Sequence, residues 1–370
     1  MTNATPRTHT MNPDAFRICL IGCGRHARMA HGPSLRKYRD ETPGVVLAAT
    51  CDINLDAARA FAADFGFAAA HTSIDAMLDR EQPDALSVVL PPHLTAATCA
   101  PLLERGIPML IEKPPAMTSA QLDWLIAAAA RGHAPNQVAF NRRYTPLLME
   151  THRLLDENLP PGAVFQINYD LIRHNRRDTD FSVTAIHALD AIRYLARSPW
   201  RHASFAYAEL PALGPGVANI EMDALAESGT RIRMNIQPVA GVVVERVSIN
   251  AHNHSFLLEL PMWGDDQRGY LRYWRDGSLV SDVSENDDGI SSRPKPLFER
   301  SGFYAENKAF FDAIRQGRAP TPALSETCQQ VALMHAIRHR IRSVDMNASL
   351  PLSTAGTVRL REKESPCALV

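Results

Sequence analysis

The stretch Phe16–Ala27, FRICLIGCGRHA, decides the fold. A mostly apolar run, Phe16 to Ile21, leads straight into Gly22-Cys23-Gly24, and a further small residue follows at Ala27. A short apolar run bounded by glycine reads as a buried strand. The residues after it open a helix. In such a turn the first glycine permits the tight bend and the second lets a pyrophosphate approach the backbone. A small third residue lets helix and strand pack closely. A phosphate would then rest on the helix N-terminus, beside Arg25 and His26. Alone, the pattern Gly-x-Gly-x-x-Ala is weak, so its surroundings must carry the reading.

A second apolar run, Val45 to Thr50, ends at Cys51-Asp52. Asp52 lies 30 residues after Gly22, against a usual separation of about 20. A polar insertion near residues 35–44, in SLRKYRDETPG, accounts for the difference. The Asp52 carboxylate suits the hydroxyls of an adenosine ribose and would repel a 2′-phosphate. Only Ile53 and Asn54 follow it, with no arginine, which favours NAD over NADP. The alternative is that Asp52 merely caps the next turn.

Further strands are expected at Ala85–Leu90, Met109–Ile111 and Gln137–Phe140, with helices at Leu55–Phe65, Leu94–Leu103 and Gln121–Ala130 between them. Strands alternating with helices imply right-handed crossovers and a parallel sheet, an α/β Rossmann arrangement with ligands at the carboxyl edge. After about residue 141 the texture changes. AVFQINYDLI alternates with period two, Phe165, Ile167, Tyr169 and Leu171 facing one side. More strands are expected at Ala203–Leu210, Ile220–Ala226, Arg231–Gln237, Glu245–Ala251 and Ser255–Leu260. Helices are expected at Thr145–Asp156 and Thr184–Ala196, with others starting near Phe303 and Ser325, and a polar loop across 281–296. The expected organisation is a disordered leader at 1–14, a Rossmann domain at 15–141, and an α+β domain at 142–370 with a large, mostly antiparallel open sheet.

Composition narrows the function. The chain has 370 residues and a net charge of −1, so nothing points to nucleic acid or an anionic membrane. Six cysteines show no paired spacing, which fits a reducing, cytoplasmic setting and no structural zinc. The ending Cys367-Ala368-Leu369-Val370 looks like a prenylation box, but no polybasic segment precedes it, and it reads as chance. His252-Asn253-His254 lacks further ligands and reads as surface, so no metal site is expected.

With these segments in view, the chain resembles the Gfo/Idh/MocA family of nicotinamide-dependent oxidoreductases. The resemblance runs through the glycine turn, Asp52, VVLPPHL at Val88–Leu94, GIPMLIEKPPAMT ending at Thr118, VAFNRRYTP at Val138–Pro146, IHALDAIRYLA at Ile186–Ala196, and GFYAENKAFFDAIRQGRAPTP from Gly302. The glutamate–lysine–proline order at Glu112-Lys113-Pro114 is the most specific of these. The resemblance implies that Glu112 positions the cofactor and that Lys113 reaches the substrate oxygen, where its charge would stabilise developing alkoxide. It implies a cis bond after Lys113, and a cofactor-side loop at Leu90, Pro91, Pro92 and His93. His187 becomes the acid/base, with Asp190 three residues on to orient it or hold a substrate hydroxyl.

The match fails at one place. The family places an aspartate four residues before that histidine, and here stands Val183. Asp178 or Asp180 could substitute. Between the first strand of the second domain and this helix, RHNRRDTD concentrates Arg173, His174, Arg176 and Arg177, which would suit a carboxylate or phosphate on the substrate. The resulting expectation is a homodimeric or homotetrameric NAD-dependent dehydrogenase or reductase acting on a sugar-like, possibly acidic molecule. The competing expectations are an NAD-binding protein without turnover, and a non-redox enzyme using NAD transiently.

Overall fold

A computed structural model describes residues 15–262, 269–284 and 295–346. The leader, most of the 281–296 loop and the Cys367 tail fall outside them.

The first sheet contains β1 (Phe16–Ile21), β2 (Val45–Cys51), β3 (Ala69–His71), β4 (Ala85–Val88), β5 (Met109–Glu112) and β6 (Asn136–Ala139). Its order is β3-β2-β1-β4-β5-β6, with every pair parallel. The order reverses between β1 and β4, the switch point where this architecture leaves a crevice at the strand ends. The glycine turn and the residues after β4 and β5 border that crevice. β3 escaped the sequence reading because three residues, Ala-Ala-His, carry too little pattern.

The polar stretch near residues 35–44 is mostly helix. The helix continues to Glu41, with Ala27–His31 wound as a π-helix and Gly32–Glu41 as an α-helix. The segment looks polar because Leu35 and Tyr38 alone of its large side chains are buried, as expected for a helix lying on a sheet.

The second sheet is built from β7 (Val164–His174), β8 (Trp200–Glu209), β9 (Ala218–Ala226), β10 (Arg231–Ala240), β11 (Val244–Ala251), β12 (His254–Glu259), β13 (Tyr270–Arg275), β14 (Ser278–Ser284) and β15 (Ser343–Asp345). The order is β14-β13-β12-β11-β7-β10-β9-β8-β15, antiparallel except for β7 with β10. Ile167, Tyr169 and Leu171 face inward as their alternation requires. Phe165 does not: it is 57% exposed, because a register shift opposite Asn250/Ala251 turns Val164 inward instead. β14 runs from Ser278 to Ser284 and so takes in the first four residues of the expected polar loop, as a largely exposed edge strand.

His252 and His254 do not share a strand face. Asn253 has a φ of 59° and turns the chain between β11 and β12. His254 bonds the Tyr273 hydroxyl at 2.8 Å.

The late helix Phe303–Arg315 returns to the first sheet. Phe310 and Phe311 are buried with Phe16, Leu35 and Tyr38 in one cluster. The chain after it bonds the edge strand β6, through Val138 N–H to the Pro322 carbonyl at 2.8 Å and Leu324 N–H to Asn136 Oδ1 at 2.8 Å.

Gly22 tests the turn. Its φ is +93° and an added Cβ would stand 2.0 Å from the Val89 carbonyl oxygen. Gly22→Ala should therefore lower stability by about 2 kcal/mol or more, from left-handed strain and the clash together; urea unfolding of the two proteins measures it.

Candidate active site

The glycine turn is held from below. Gly22 N–H donates to the Cys51 carbonyl at 2.8 Å, and Cys23 N–H donates to Asp52 Oδ2 at 2.8 Å. The other Asp52 oxygen accepts from Asn54 N–H at 2.9 Å. Asp52 thus ties the ends of β1 and β2 together and also stabilises the next turn. Gly24 has a different reason to be glycine: a Cβ there would meet no protein atom within 4 Å. Its backbone is clear for an incoming group, which fits a pyrophosphate. Beside Asp52, Ile53 is 97% exposed, an apolar surface with no cation near it in sequence to take a 2′-phosphate. Across the crevice lies the loop after β4, with Leu90 and Pro92 partly buried and Pro91 and His93 exposed. Arg25 is exposed at the start of the helix.

β5 delivers Glu112 and Lys113 to the crevice in opposite directions. Glu112 is buried, and its Oε1 lies 2.8 Å from His26 Nε2 and 3.2 Å from His31 Nε2. Burial alone would raise its pKa, but the two imidazoles outweigh that and keep the carboxyl well below its ordinary range. His31 is held from behind by Asn307 of the Phe303–Arg315 helix, whose Nδ2 lies 3.2 Å from His31 Nδ1. The Lys113–Pro114 bond is cis.

Lys113 turns the other way and donates from Nζ to the carbonyl oxygen of Val183 at 3.0 Å. Val183 lies in the Ser182–Ala196 helix, one turn ahead of His187. The residue that lacks a carboxylate thus still engages the lysine, through its backbone. Burial lowers the Lys113 pKa, Arg142 and Arg176 add to the effect, and the nearby carboxylates offset only part, leaving it at about 8. His187 is 7% exposed and its Nδ1 has no hydrogen-bond partner. Burial, then the Lys113 and Arg142 charges, hold its pKa well below the usual value, so the imidazole is neutral at neutral pH.

Beneath these groups lies a charge cluster that the sequence reading missed. Glu245, fully buried, accepts from Arg142 Nε and Nη2 at 3.1 Å each, and from the Tyr169 hydroxyl and Arg173. Burial would raise its pKa, but the two guanidinium groups bring it down to about 2. The signal was legible in principle: on an alternating strand, Glu245 shares the inward face of Val247 and Ile249.

The same alternation corrects the substrate residues. β7 runs on to His174, so Arg173 falls on the inward face with Tyr169 and Leu171 and is committed to Glu245 rather than overhanging a pocket. His174 is exposed, its Nδ1 3.1 Å from the Ala240 carbonyl. Asp190 does not reach His187: its oxygens accept from Arg143 at 2.7 and 2.6 Å and from Gln330 at 2.9 Å. Three positions along a helix share a side only loosely, and Asp190 points to the face where Arg143 waits. Asp180 accepts from Ser182 N–H at 3.0 Å, and Asp178 pairs with Arg176, so neither takes the place of the missing aspartate.

A sheet of this order with a glycine turn at its switch point is a dinucleotide-binding type of fold, and the Glu-Lys-Pro strand end stands beside that crevice. Residues 16–140 match the model of the Gfo/Idh/MocA oxidoreductase family, described as an NAD-binding Rossmann fold. It is 29% identical over 196 residues to D-apiose dehydrogenase of Paraburkholderia graminis, covering 49% of each chain. It is 33% identical over 167 residues to D-glucoside 3-dehydrogenase of Escherichia coli, covering 45% of each. The chain thus spans about half the length of the curated relatives it matches. An oxidoreductase domain protein from Kribbella flavida shares the fold with a TM-score of 0.75 at 18% identity, over 90% of this chain and 99% of that one. Among the described residues no helix is long and apolar enough to cross a membrane, and the cysteines are free.

Glu245→Gln would leave two buried guanidinium groups sharing no anion. Stability should fall by about 3–5 kcal/mol, read from denaturant unfolding. A loss under about 1 kcal/mol would mean that water already screens the cluster.

Proposed function

We propose that the protein is an NAD-dependent oxidoreductase that moves hydride between nicotinamide and a secondary alcohol or the matching ketone of a sugar-like molecule. The observation that carries this is the bond from Lys113 to Val183. It sets an ammonium group from the first domain beside the helix that bears a neutral, buried His187. In the oxidation direction His187 accepts the hydroxyl proton, and Lys113 stabilises the oxygen as negative charge grows on it. The bound NAD supplies the hydride acceptor. Gly24 and the helix start would take the pyrophosphate, Asp52 the ribose, and Glu112 the nicotinamide side. Selectivity for NAD over NADP rests on Asp52 and on the apolar Ile53. The names of the matched relatives, dehydrogenases of a sugar and of a glucoside, support a sugar-like substrate. Arg173, the best candidate for gripping an acid, is occupied by Glu245, so the neutral form of that substrate is favoured. Assembly as a homodimer or homotetramer through the polar outer face of the second sheet belongs to the same reading.

Fluorescence titration with NADH and NADPH tests the nucleotide half. NADH should bind tightly, and Asp52→Asn should weaken it about tenfold, ~1.4 kcal/mol, while narrowing the gap to NADPH. Binding of neither nucleotide would sink the reading.

The pH profile tests the chemistry. Lys113 works as the ammonium, which is present below its pKa and lost as pH rises through it. With that pKa at about 8, alcohol oxidation should show an alkaline limb near there. Val183→Asp, which places a carboxylate beside the ammonium, should move the limb upward. Lys113→Met should cut kcat by about 100-fold or more while leaving NADH binding within a few-fold. An unchanged kcat would remove Lys113 from the mechanism.

A further inference from the structure

His26, His31 and Glu112 form a set that the proposed chemistry does not use up. Their ligand atoms lie within 4.8 Å of one another, and the two imidazole Nε2 atoms approach a single carboxylate oxygen at 2.8 and 3.2 Å. Tetrahedral zinc at about 2.0–2.2 Å from each ligand would hold those ligands roughly 3.3–3.5 Å apart. The groups therefore already stand near the required separations. Glu112 and His31 are buried, whereas the His26 side chain is 43% exposed and leaves an approach from solvent.

The convergence has a local cause. In a regular α-helix, residues five apart point about 140° away from each other. The π-helical turn over Ala27–His31 closes with Gly32 N–H donating to the Ala27 carbonyl, five residues back, and widens the helix. That winding brings residues 26 and 31 to one side. Such turns gather at functional sites. Behind His31 the Asn307 amide meets Nδ1 with Oδ1 at 3.4 Å and Nδ2 at 3.2 Å; through the oxygen it offers the kind of acceptor that orients a metal-bound imidazole by its second nitrogen. Two nitrogens and one carboxylate suit zinc, cobalt or nickel and are a poor cage for magnesium or calcium.

We propose that His26, His31 and Glu112 bind a divalent transition-metal ion, and that metal and dinucleotide exclude one another there. Exclusion follows because Glu112 is needed by both. That half rests on the dinucleotide reading above; metal binding itself does not.

The test is calorimetric titration of tag-free full chain, stripped with chelator, with Zn²⁺ in the presence and absence of NADH. Wild type, His26→Ala and a surface control, His252→Ala, are compared. His26 and His252 are both exposed, so both variants should fold, and circular dichroism checks this. One ion per chain is expected for wild type and the control, with binding weakened roughly tenfold or more in His26→Ala. Apparent zinc affinity should fall as NADH is raised. Binding that is absent, or unchanged in His26→Ala, overturns the site and leaves three hydrogen-bonded side chains. Zinc binding indifferent to bound NADH overturns the exclusion. Should NADH fail to bind at all, the exclusion falls with the dinucleotide reading, and the zinc titration alone decides the metal site.

Discussion

Two adjacent side chains at the end of β5 hold the two halves of the site together. Residues on a strand alternate in direction, so Glu112 and Lys113 cannot face the same way. Glu112 is drawn to the imidazoles of the first helix, and through His31 to Asn307 near the end of the chain. Lys113 is drawn to the Val183 carbonyl on the helix of the second domain. The first sheet, the returning Phe303–Arg315 helix and the second domain are thereby tied to one strand end. A shift of one residue in β5 would exchange the carboxylate and the ammonium and undo both sets of contacts.

The electrostatics of the crevice follow from what lies under it. Arg142 and Arg173 are buried, and Glu245 is the carboxylate they share. Burial first, and then the field of Lys113 and these arginines, disfavours a charge on His187. The histidine is thereby kept neutral. Where the resembled pattern would put an aspartate stands Val183, whose backbone carbonyl holds the lysine, while the imidazole is tuned from a distance. The lysine's own pKa falls chiefly through burial, with Arg142 and Arg176 adding to the effect.

Elsewhere the charges are used for assembly rather than chemistry. Asp190 joins Arg143, from the turn after the first sheet, to Gln330 of a late helix. Buried pairs of this kind contribute little net stability yet cost much when one partner is lost. They fix how segments distant in sequence meet. Glu306, in the helix that returns to the first sheet, is fully buried with both oxygens unpartnered. Burial, with Glu112 and Asp190 nearby, raises its pKa far enough to keep it a neutral acid.

The parallel order of the first sheet, the glycine turn, the acid ending β2 and the Glu-Lys-Pro strand end were all legible in the chain. Each rests on local pattern: apolar runs of strand length, glycines at a bend, an abrupt change from apolar to charged. The alternation of β7 was legible too, but its consequence for Arg173 depended on where the strand stops, and strand ends leave only a weak mark in sequence. The meeting of His26 with His31 depended on a π-wound turn, which has no compositional signature. Glu245 met its arginines, and Asp190 met Arg143 instead of His187, only because the tertiary fold brought segments 47 to 103 residues apart within hydrogen-bond distance. Local propensity names the groups that carry charge; burial and long-range neighbours decide which charges remain free to do chemistry.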